Sequence, residues 1–176
     1  MNSLLSPAAQ KKIDREIAKY PAERKHSAVM AALAIAQDEH GWLSTEVMQA
    51  VAQYLDMPPV GVYEVASFYT MYNLRPTGRF KLAICTNLPC ALQGAAVAAE
   101  HLERRLGIGF DETTADGKFT LQEGECFGAC GDAPVVLVNN QRMCRVMHPD
   151  KLDELLSELG AAAERGEGAP VEPPAK

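Results

Sequence analysis

The sequence predicts an α/β protein in which a helical bundle is followed by a small layer of strands and helices. In the first half of the chain, apolar residues recur every three or four positions between Pro and Gly interruptions, as in amphipathic helices. In the second half, short β-branched and aliphatic runs are interleaved with two helical patterns. A chain of 176 residues is long enough to bury a proper core and carry a further appended unit.

Start and stop residues delimit four helices in the first part of the chain. Ser6 and Pro7 form an N-cap and first-turn pair, and Ser44 can cap a later helix. Gly41 is placed to end the second helix. We therefore expect an N-terminal helical domain over residues 1–76. Its helices are predicted from Pro7 to about Tyr20, through Val29, Leu33 and Ala36 to His40, from Ser44 to about Leu55, and from Pro59 through Val65.

The second part, residues 77–160, is predicted to have the element order β-α-β-β-β-α. This order suggests a small α/β domain of the thioredoxin type, placed after the helical bundle. After Gly160 the composition of Ala, Glu, Gly and Pro is too polar and too interrupted to pack, so residues 161–176 are predicted to form a disordered tail. The strands are predicted at residues 80–85, 119–126, 134–139 and 142–146, and the helices at residues 91–106 and from Pro149 onward.

Charge and hydropathy exclude several classes of protein. With 17 Lys+Arg against 23 Asp+Glu the net charge is −6, and no concentrated basic patch is present, so we expect no nucleic-acid partner. No apolar run approaches the roughly 18 to 20 residues that cross a bilayer, and the first residues lack the pattern of a secretion signal. We therefore expect a cytoplasmic protein without direct membrane insertion. In that compartment, five cysteines favour metal binding or redox chemistry over disulfide bonds.

Four of the five cysteines form two pairs. Four residues separate Cys85 from Cys90, three separate Cys126 from Cys130, and 35 lie between the pairs. Each pair follows the carboxyl end of a predicted strand, so the four sulfur atoms converge at one sheet edge if those strands are neighbours. Four thiolates suit a soft metal. The sequence therefore predicts a metal or metal-cluster site with these four cysteines as its ligands.

Spacing alone leaves the identity of that metal open. Structural zinc favours short symmetric gaps of roughly two to four residues and often a histidine, whereas the gaps here are four and three and neither loop contains a histidine. A 2Fe-2S cluster needs two ligands on each iron, which suits two unequal loops that face each other. Zinc and incidental buried cysteines remain alternatives. The lack of a C-x-x-C pattern argues against dithiol exchange.

Residues around the cysteines are also relevant to the hypothesis of a 2Fe-2S cluster. Gly94, Gly128 and Gly131 would let the backbone approach inorganic sulfide closely. Negative charge near the second pair would lower a reduction potential, unless the acids there only solvate a loop. Cys144 has no companion at ligand spacing and is expected to be a small packed side chain. The acidic residues near the second pair are Glu123, Glu125 and Asp132.

Several segments carry a pattern typical of one protein family. They are HGWLS (40–44), VYEVASFYTMYNLRP (62–76), ICTNLPCALQGA (84–95), TTADGKFTLQEGECFGACGDAPVVLVN (113–139) and HPDKLDELL (148–156). Together they resemble the E subunit of bacterial NADH:quinone oxidoreductase, respiratory complex I, whose members are thioredoxin-like 2Fe-2S ferredoxins behind a helical domain. The resemblance covers roughly residues 10–160, and the two cysteine loops are its most specific part.

The resemblance implies a cofactor, a partner and a location. It implies one 2Fe-2S cluster, with Cys85 and Cys90 on one iron and Cys126 and Cys130 on the other. It further implies docking on a flavoprotein subunit that carries FMN and the NADH site, among other subunits of the peripheral arm at the inner membrane. The chain would then be a subunit of an NADH dehydrogenase, an oxidoreductase of electron transport to quinone, and would not be catalytic alone.

Three other interpretations accompany this one, and one of them is a free-standing ferredoxin that serves several reductases, which the acidic balance would allow. Relatives of the same family serve NAD-linked hydrogenases and formate dehydrogenases, so an equivalent diaphorase subunit is the nearest alternative. A zinc-stabilised adaptor without redox chemistry is an alternative from a different class. The aromatic stretch SFYTMYNLRP (67–76) would suit a partner interface or a seam within the chain equally well. Cys144 departs from the family pattern, and its role is unexplained.

Overall fold

The structure is a computed structural model, and it describes residues 4–170 of the chain. These residues form two compact units that divide between Pro76 and Thr77. The first unit is entirely helical, and the second combines a sheet with helices. The predicted fold class, a helical bundle followed by a thioredoxin-like α/β domain, is therefore confirmed.

The helical unit is built from amphipathic helices with the predicted caps. The Ser6 and Ser44 hydroxyls accept hydrogen bonds from N–H groups in the first turns that follow them, at 3.1 and 3.2 Å. Gly41 ends the second helix with a φ of 81°, a conformation that glycine adopts without steric cost. The α-helices are Pro7–Ile17 (α1), Val29–His40 (α2), Thr45–Leu55 (α3) and Pro59–Phe68 (α4), and a 3-10 helix spans Ala22–Ala28.

The core of the helical unit comes from the apolar stripes of these helices. Ile13, Leu33, Val51 and Val62 are fully buried and belong to one hydrophobic cluster. Burying each such side chain contributes roughly 1.5 to 3 kcal/mol relative to exposure, which outweighs the weak intrinsic stability of short helices.

The second unit is a five-stranded sheet in the order β2-β3-β1-β4-β5. Its central strands β1 and β3 are parallel, while β4 pairs antiparallel with β1 and β5 antiparallel with β4. The parallel pair needs a crossover connection, which a pair of helices supplies. The strands are Phe80–Cys85 (β1), Glu112–Thr113 (β2), Phe119–Gly124 (β3), Val136–Val138 (β4) and Arg142–Cys144 (β5), and the helices are Leu88–Leu92 (α5), Ala95–Leu106 (α6) and Pro149–Glu164 (α7).

One face of this sheet carries the core of the α/β unit. Leu82 and Ile84 alternate with residues of the other face, as strand geometry requires. They are fully buried in one cluster with Leu121 of β3, Leu102 of α6 and Leu152 of α7. The sheet is therefore packed against α6 and α7, which leaves its carboxyl-terminal edge to carry the cysteine loops.

Some predicted boundaries in this unit were wrong. The helix predicted over residues 91–106 is two helices, because Gly94 has a φ of 90° and separates α5 from α6. Pro134 has no N–H for a ladder, and β4 begins only at Val136. Val146 has a φ of 52°, so β5 ends before it. The short strand β2 was not predicted, because two exposed residues carry no alternation.

The chain after Gly160 differs from the predicted disordered tail. Helix α7 continues to Glu164, and Ala162 and Ala163 are buried in the same cluster as Leu159. Beyond the helix, the Ala169 N–H donates to the Arg79 carbonyl at 2.9 Å. Residues 161–170 thus belong to the α/β unit, because they extend the apolar stripe of α7. Residues 171–176 of the predicted tail lie outside the described residues.

None of the helices within residues 4–170 combines the length and the apolar character that a bilayer crossing requires.

Candidate metal centre

The pairing of β1 with β3 places the two cysteine loops at the same edge of the sheet. Cys85, the last residue of β1, lies opposite Gly124, the last residue of β3, in a parallel register. Both loops therefore leave the sheet side by side. The Cys85 N–H donates to the Val135 carbonyl at 3.1 Å, and the Thr86 N–H donates to the Gly124 carbonyl at 3.4 Å. These bonds tie the start of the first loop to the second.

The first pair of thiols is buried. Cys85 ends a strand whose residues are all buried, and Cys90 lies in the short helix α5. Both side chains belong to a small cluster with Ala95 and Val135. Burial is the main cause that raises the pKa of the Cys90 thiol, followed by a side-chain hydrogen bond with Cys85. Cys85 and Cys90 are therefore close enough to act as one pair.

The second pair of thiols is exposed. Cys126 follows β3, and Cys130 begins a 3-10 turn, Cys130–Asp132. Between them, Gly128 has a φ of 73°, and its N–H points to the Cys126 sulfur at 3.4 Å. A hydrogen bond with Cys126 is the largest cause that raises the pKa of Cys130, and the charge of Cys126 adds to it. These two thiols also form a pair.

Interactions between the pairs run across the two loops. The charge of Cys85 contributes to the raised pKa of Cys130, and the charge of Cys130 contributes to the raised pKa of Cys90. Like charges that interact this way need a cation nearby before all of them can ionise. The four predicted ligands thus lie at one edge of the sheet, as two pairs near enough to influence each other electrostatically.

The donor set fits a sulfur-bound metal group. All five cysteines are free thiols, and the four in the loops provide soft ligands only. Within residues 4–170, no group of three or more His, Cys, Asp or Glu side chains is positioned to hold a metal ion. The arrangement of two thiols on each loop matches the two ligands per iron of a binuclear cluster.

Small residues leave room beside the exposed pair. A Cβ atom on Gly128 or Gly131 would meet no other atom within 4 Å, so the second loop is open on that side. Phe127 is partly buried and packs against the small cluster that contains Cys85 and Cys90. The loop is therefore open at its glycines and packed at Phe127.

The acidic side chains near the second pair of cysteines make hydrogen bonds or an ion pair with other residues of this unit. Glu123 and Glu125 accept hydrogen bonds from Thr86 and Asn87 of the first loop, at 2.8 and 3.1 Å. Asp132 lies 3.5 Å from the Arg145 guanidinium. The sequence indicated the negative charge at this edge, but the partners of these carboxylates come from residues 13 to 38 positions away and have no local signal.

Cys144 lies apart from the loops, as predicted. It occupies β5 opposite Val136 and is buried in the main core of the α/β unit. Burial is the largest cause that raises the pKa of its thiol. Its role is that of a small packed side chain.

Exposed apolar side chains flank the first cysteine loop. Leu88 and Leu92 of α5 are 71% and 76% exposed, one on each side of Cys90. Sequence reasoning missed them, although two leucines that flank a cysteine at positions two before and two after it were an available signal. In the aromatic stretch, Phe68 is 78% exposed, whereas Tyr72 is buried and its hydroxyl donates to the Met30 carbonyl at 2.8 Å. That stretch therefore serves partly as core of the helical unit.

Comparisons with known proteins agree with this description. Residues 13–160 match the family described as thioredoxin-like [2Fe-2S] ferredoxin. The chain is 44% identical over 168 residues to a Rhizobium meliloti (strain 1021) protein, the second E subunit of its NADH-quinone oxidoreductase, covering 93% of this chain and 98% of that protein. It is 47% identical over 125 residues to the NADH-quinone oxidoreductase E subunit of Rickettsia prowazekii (strain Madrid E), covering 70% and 71%.

A solved structure shares the fold. An NAD+-reducing [NiFe]-hydrogenase in the H2-reduced state has a TM-score of 0.66 at 23% identity, over 76% of this chain. The match covers 22% of that hydrogenase chain, so it shows a common fold in part of a longer protein and no more.

The sheet order and the two thiol pairs at one sheet edge are typical of a ferredoxin built on a thioredoxin-like fold. The chain belongs to the family of thioredoxin-like [2Fe-2S] ferredoxins that includes the E subunit of NADH-quinone oxidoreductase. The resemblance found in the sequence is thereby confirmed.

Proposed function

We propose that the chain is an electron-transfer subunit of NADH:quinone oxidoreductase and carries one 2Fe-2S cluster. The observation that carries this proposal is the parallel register of Cys85 with Gly124, by which the two cysteine loops leave the sheet at one edge. Cys85 and Cys90 would hold one iron, and Cys126 and Cys130 the other. When bound, such a cluster accepts and returns one electron at a time.

The residues of this chain prepare the site in two ways. The buried pair, Cys85 and Cys90, lies among apolar side chains that exclude water from one side of the group. The exposed pair, Cys126 and Cys130, lies at the surface, where an electron can pass to a partner. The Gly128 N–H is directed at the Cys126 sulfur, and such hydrogen bonds are one of the factors that set a reduction potential.

An electron carrier of this kind acts between other groups. The sequence has no G-x-G-x-x-G motif, so we assign NADH and FMN to a partner flavoprotein subunit. The relatives named as E subunits of NADH-quinone oxidoreductase support membership of such a complex, and we place the chain in the peripheral part of that complex at the inner membrane. Exposed Leu88 and Leu92 lie beside the cysteine loops and are suited to contact that partner.

Iron and sulfide analysis tests the cofactor. The full chain purified anaerobically is expected to contain about two irons and two acid-labile sulfides. Its visible absorbance should bleach with dithionite, and the reduced protein should give the electron paramagnetic resonance spectrum of a binuclear iron centre. One zinc per chain without sulfide would instead support the adaptor hypothesis and contradict the proposal.

Co-purification tests the partner. When the chain carries an affinity tag in its native cell, it should recover a stoichiometric flavoprotein that contains FMN and oxidises NADH. Recovery of hydrogenase or formate dehydrogenase subunits in place of quinone-reducing subunits would assign the chain to the alternative parent complex.

A further inference from the structure

Two side-chain hydrogen bonds join the cysteine loops to each other. The Thr86 hydroxyl donates to Glu123 Oε1 at 2.8 Å, and Asn87 Nδ2 donates to Glu125 Oε2 at 3.1 Å. The donors are the first and second residues after Cys85, and the acceptors lie three positions and one position before Cys126. The two bonds therefore connect residues near one predicted ligand with residues near another.

These bonds continue the pairing of the two parallel strands. The backbone N–H of Thr86 also donates to the Gly124 carbonyl, at 3.4 Å, beyond the last paired residue of β1. Residues 86 and 87 thus meet residues 123, 124 and 125 through one backbone bond and two side-chain bonds. Both acceptors are carboxylates, and hydrogen bonds to charged groups are stronger than neutral ones.

The Asn87 side chain bonds to Glu125 and does not cap the helix that it precedes. It occupies the N-cap position of α5, where an asparagine side chain ordinarily accepts a hydrogen bond from the first helical turn. Here its side chain makes no capping bond and reaches Glu125 on the other loop instead. A residue whose side chain only solvated the surface would be free to cap the helix.

From this geometry we infer that Thr86, Asn87, Glu123 and Glu125 form a loop clamp that positions the ligands of the cluster. The inference rests on the proposed function, because it assigns these residues to the same site. The clamp holds the buried and exposed thiol pairs at a fixed separation.

Variants can separate the clamp from the charge of its acids. Thr86→Val with Asn87→Ser removes the Thr86 hydroxyl and the Asn87 amide that make the two bonds, and it keeps both carboxylates. The serine hydroxyl is one bond closer to its backbone than the amide nitrogen and can cap α5, so helix stability is not lost. Glu123→Gln with Glu125→Gln removes the charges but keeps an acceptor oxygen for each donor. We expect the first variant to lose its cluster about ten times faster than the wild type in the presence of an iron chelator, at the low end of effects for groups that support metal ligands.

The second variant has a different expected result. Its cluster lifetime should remain within about a factor of two of the wild type because the clamp persists, while its reduction potential should rise because negative charge is removed. An unchanged lifetime in Thr86→Val with Asn87→Ser would overturn the inference. So would equally rapid cluster loss in both variants, since the acids would then act by their charge rather than by joining the loops.

A measurement on the chain without cluster tests the clamp independently. Dibromobimane joins two nearby thiols, and mass mapping distinguishes products within one loop from products between the loops. The wild type should give products between the loops, and Thr86→Val with Asn87→Ser should shift the ratio toward products within a loop. If the wild type cross-links this way but never binds iron and sulfide, the clamp stands and the proposed function fails; an identical ratio in both proteins rejects the clamp.

Discussion

The ring of Phe127 occupies the space that a Cβ atom on Gly124 would fill. Gly124 ends β3 opposite Cys85, and Phe127 packs in the same small cluster as Cys85 and Cys90. The aromatic side chain between the second pair of cysteines is thus packed beside the first pair. This contact requires a glycine at position 124, because the ring lies against the backbone there.

Gly124→Ala should therefore displace the ring of Phe127 and loosen the second loop. The new methyl group would overlap the ring and approach the Ile84 carbonyl to 3.1 Å. Overpacking of this kind typically costs about 1 to 3 kcal/mol. We expect lower thermal stability and faster cluster loss, measured by calorimetry and by the decay of visible absorbance.

Gly131→Ala is the matched control for that change. It adds the same methyl group to the same loop, where no atom lies within 4 Å of the new Cβ. It should leave both measurements near the wild-type values. If the two variants behave alike, the contact between Phe127 and Gly124 has no part in holding the loop.

Cys126→Ser and Cys144→Ser should separate ligand from packed thiol. Loss of Cys126 leaves one iron with a single cysteine, so we expect failed assembly or a strongly altered visible and paramagnetic spectrum. Cys144→Ser changes only a buried side chain of the core. It should lower the free energy of unfolding by at most about 1 to 3 kcal/mol. Its spectrum should match the wild type, and similar spectral damage in both variants would show that the ligands are misassigned.

The sequence was sufficient to predict the parts of the fold that follow from local pattern. Ser6, Ser44 and Gly41 delimit helices through interactions with their own neighbours, so their roles can be recognised without tertiary structure. The parallel pairing of β1 and β3 was an assumption in the prediction that the loops converge. The structure supplies that pairing.

Other features depend on contacts between distant residues. Thr86 and Glu123 are 37 positions apart, and nothing in either segment alone indicates their hydrogen bond. The end of α7 is a different case, because Ala162 and Ala163 continue the spacing of Leu155, Leu156 and Leu159. The helical spacing was visible in the sequence. Alanine is only weakly apolar, however, so the polar composition of residues 161–176 led to the prediction of a disordered tail.

The continuation of α7 leads to a paired prediction. Ala163→Asp places a carboxylate in the core of the α/β unit and should lower the free energy of unfolding by about 2 to 4 kcal/mol. Ala161→Asp makes the same change at an exposed position of the same helix and should cost less than about 1 kcal/mol. Urea titration measures both, and equal effects would mean that residues 161–164 do not pack on the sheet.

Partner binding should depend on the leucines beside the first cysteine loop. Leu88→Gln with Leu92→Gln removes exposed apolar surface and leaves the fold intact, because both side chains are more than 70% exposed. We expect weaker association with the flavoprotein subunit, seen as dissociation on gel filtration. Tyr20→Ser also removes an exposed apolar side chain, in the helical unit, and should leave the complex together. Undiminished binding by the leucine variant would move the docking surface elsewhere.

Lys81 gives the α/β unit a pH-dependent stability. It lies in the central strand β1 with 3% of its surface exposed, and burial lowers its pKa from 10.5 to about 8. Between these two values the unfolded chain binds more protons at this site than the folded chain. The contribution of Lys81 to the free energy of unfolding therefore rises with pH from about 8 to about 10.5, by at most about 3 kcal/mol.

Lys81→Met should remove this dependence, because methionine fills similar space without a charge. At pH 7 we expect the variant to be more stable than the wild type by about 1 to 3 kcal/mol, and the difference should shrink as the pH rises from 8 toward 10. Urea titrations at several pH values measure that difference directly, so other groups that titrate in both proteins cancel. Lys151→Met, at an exposed position of α7, should give a difference that is small and independent of pH. A constant difference for Lys81→Met would mean that the buried lysine is as readily protonated in the folded chain as in the unfolded one.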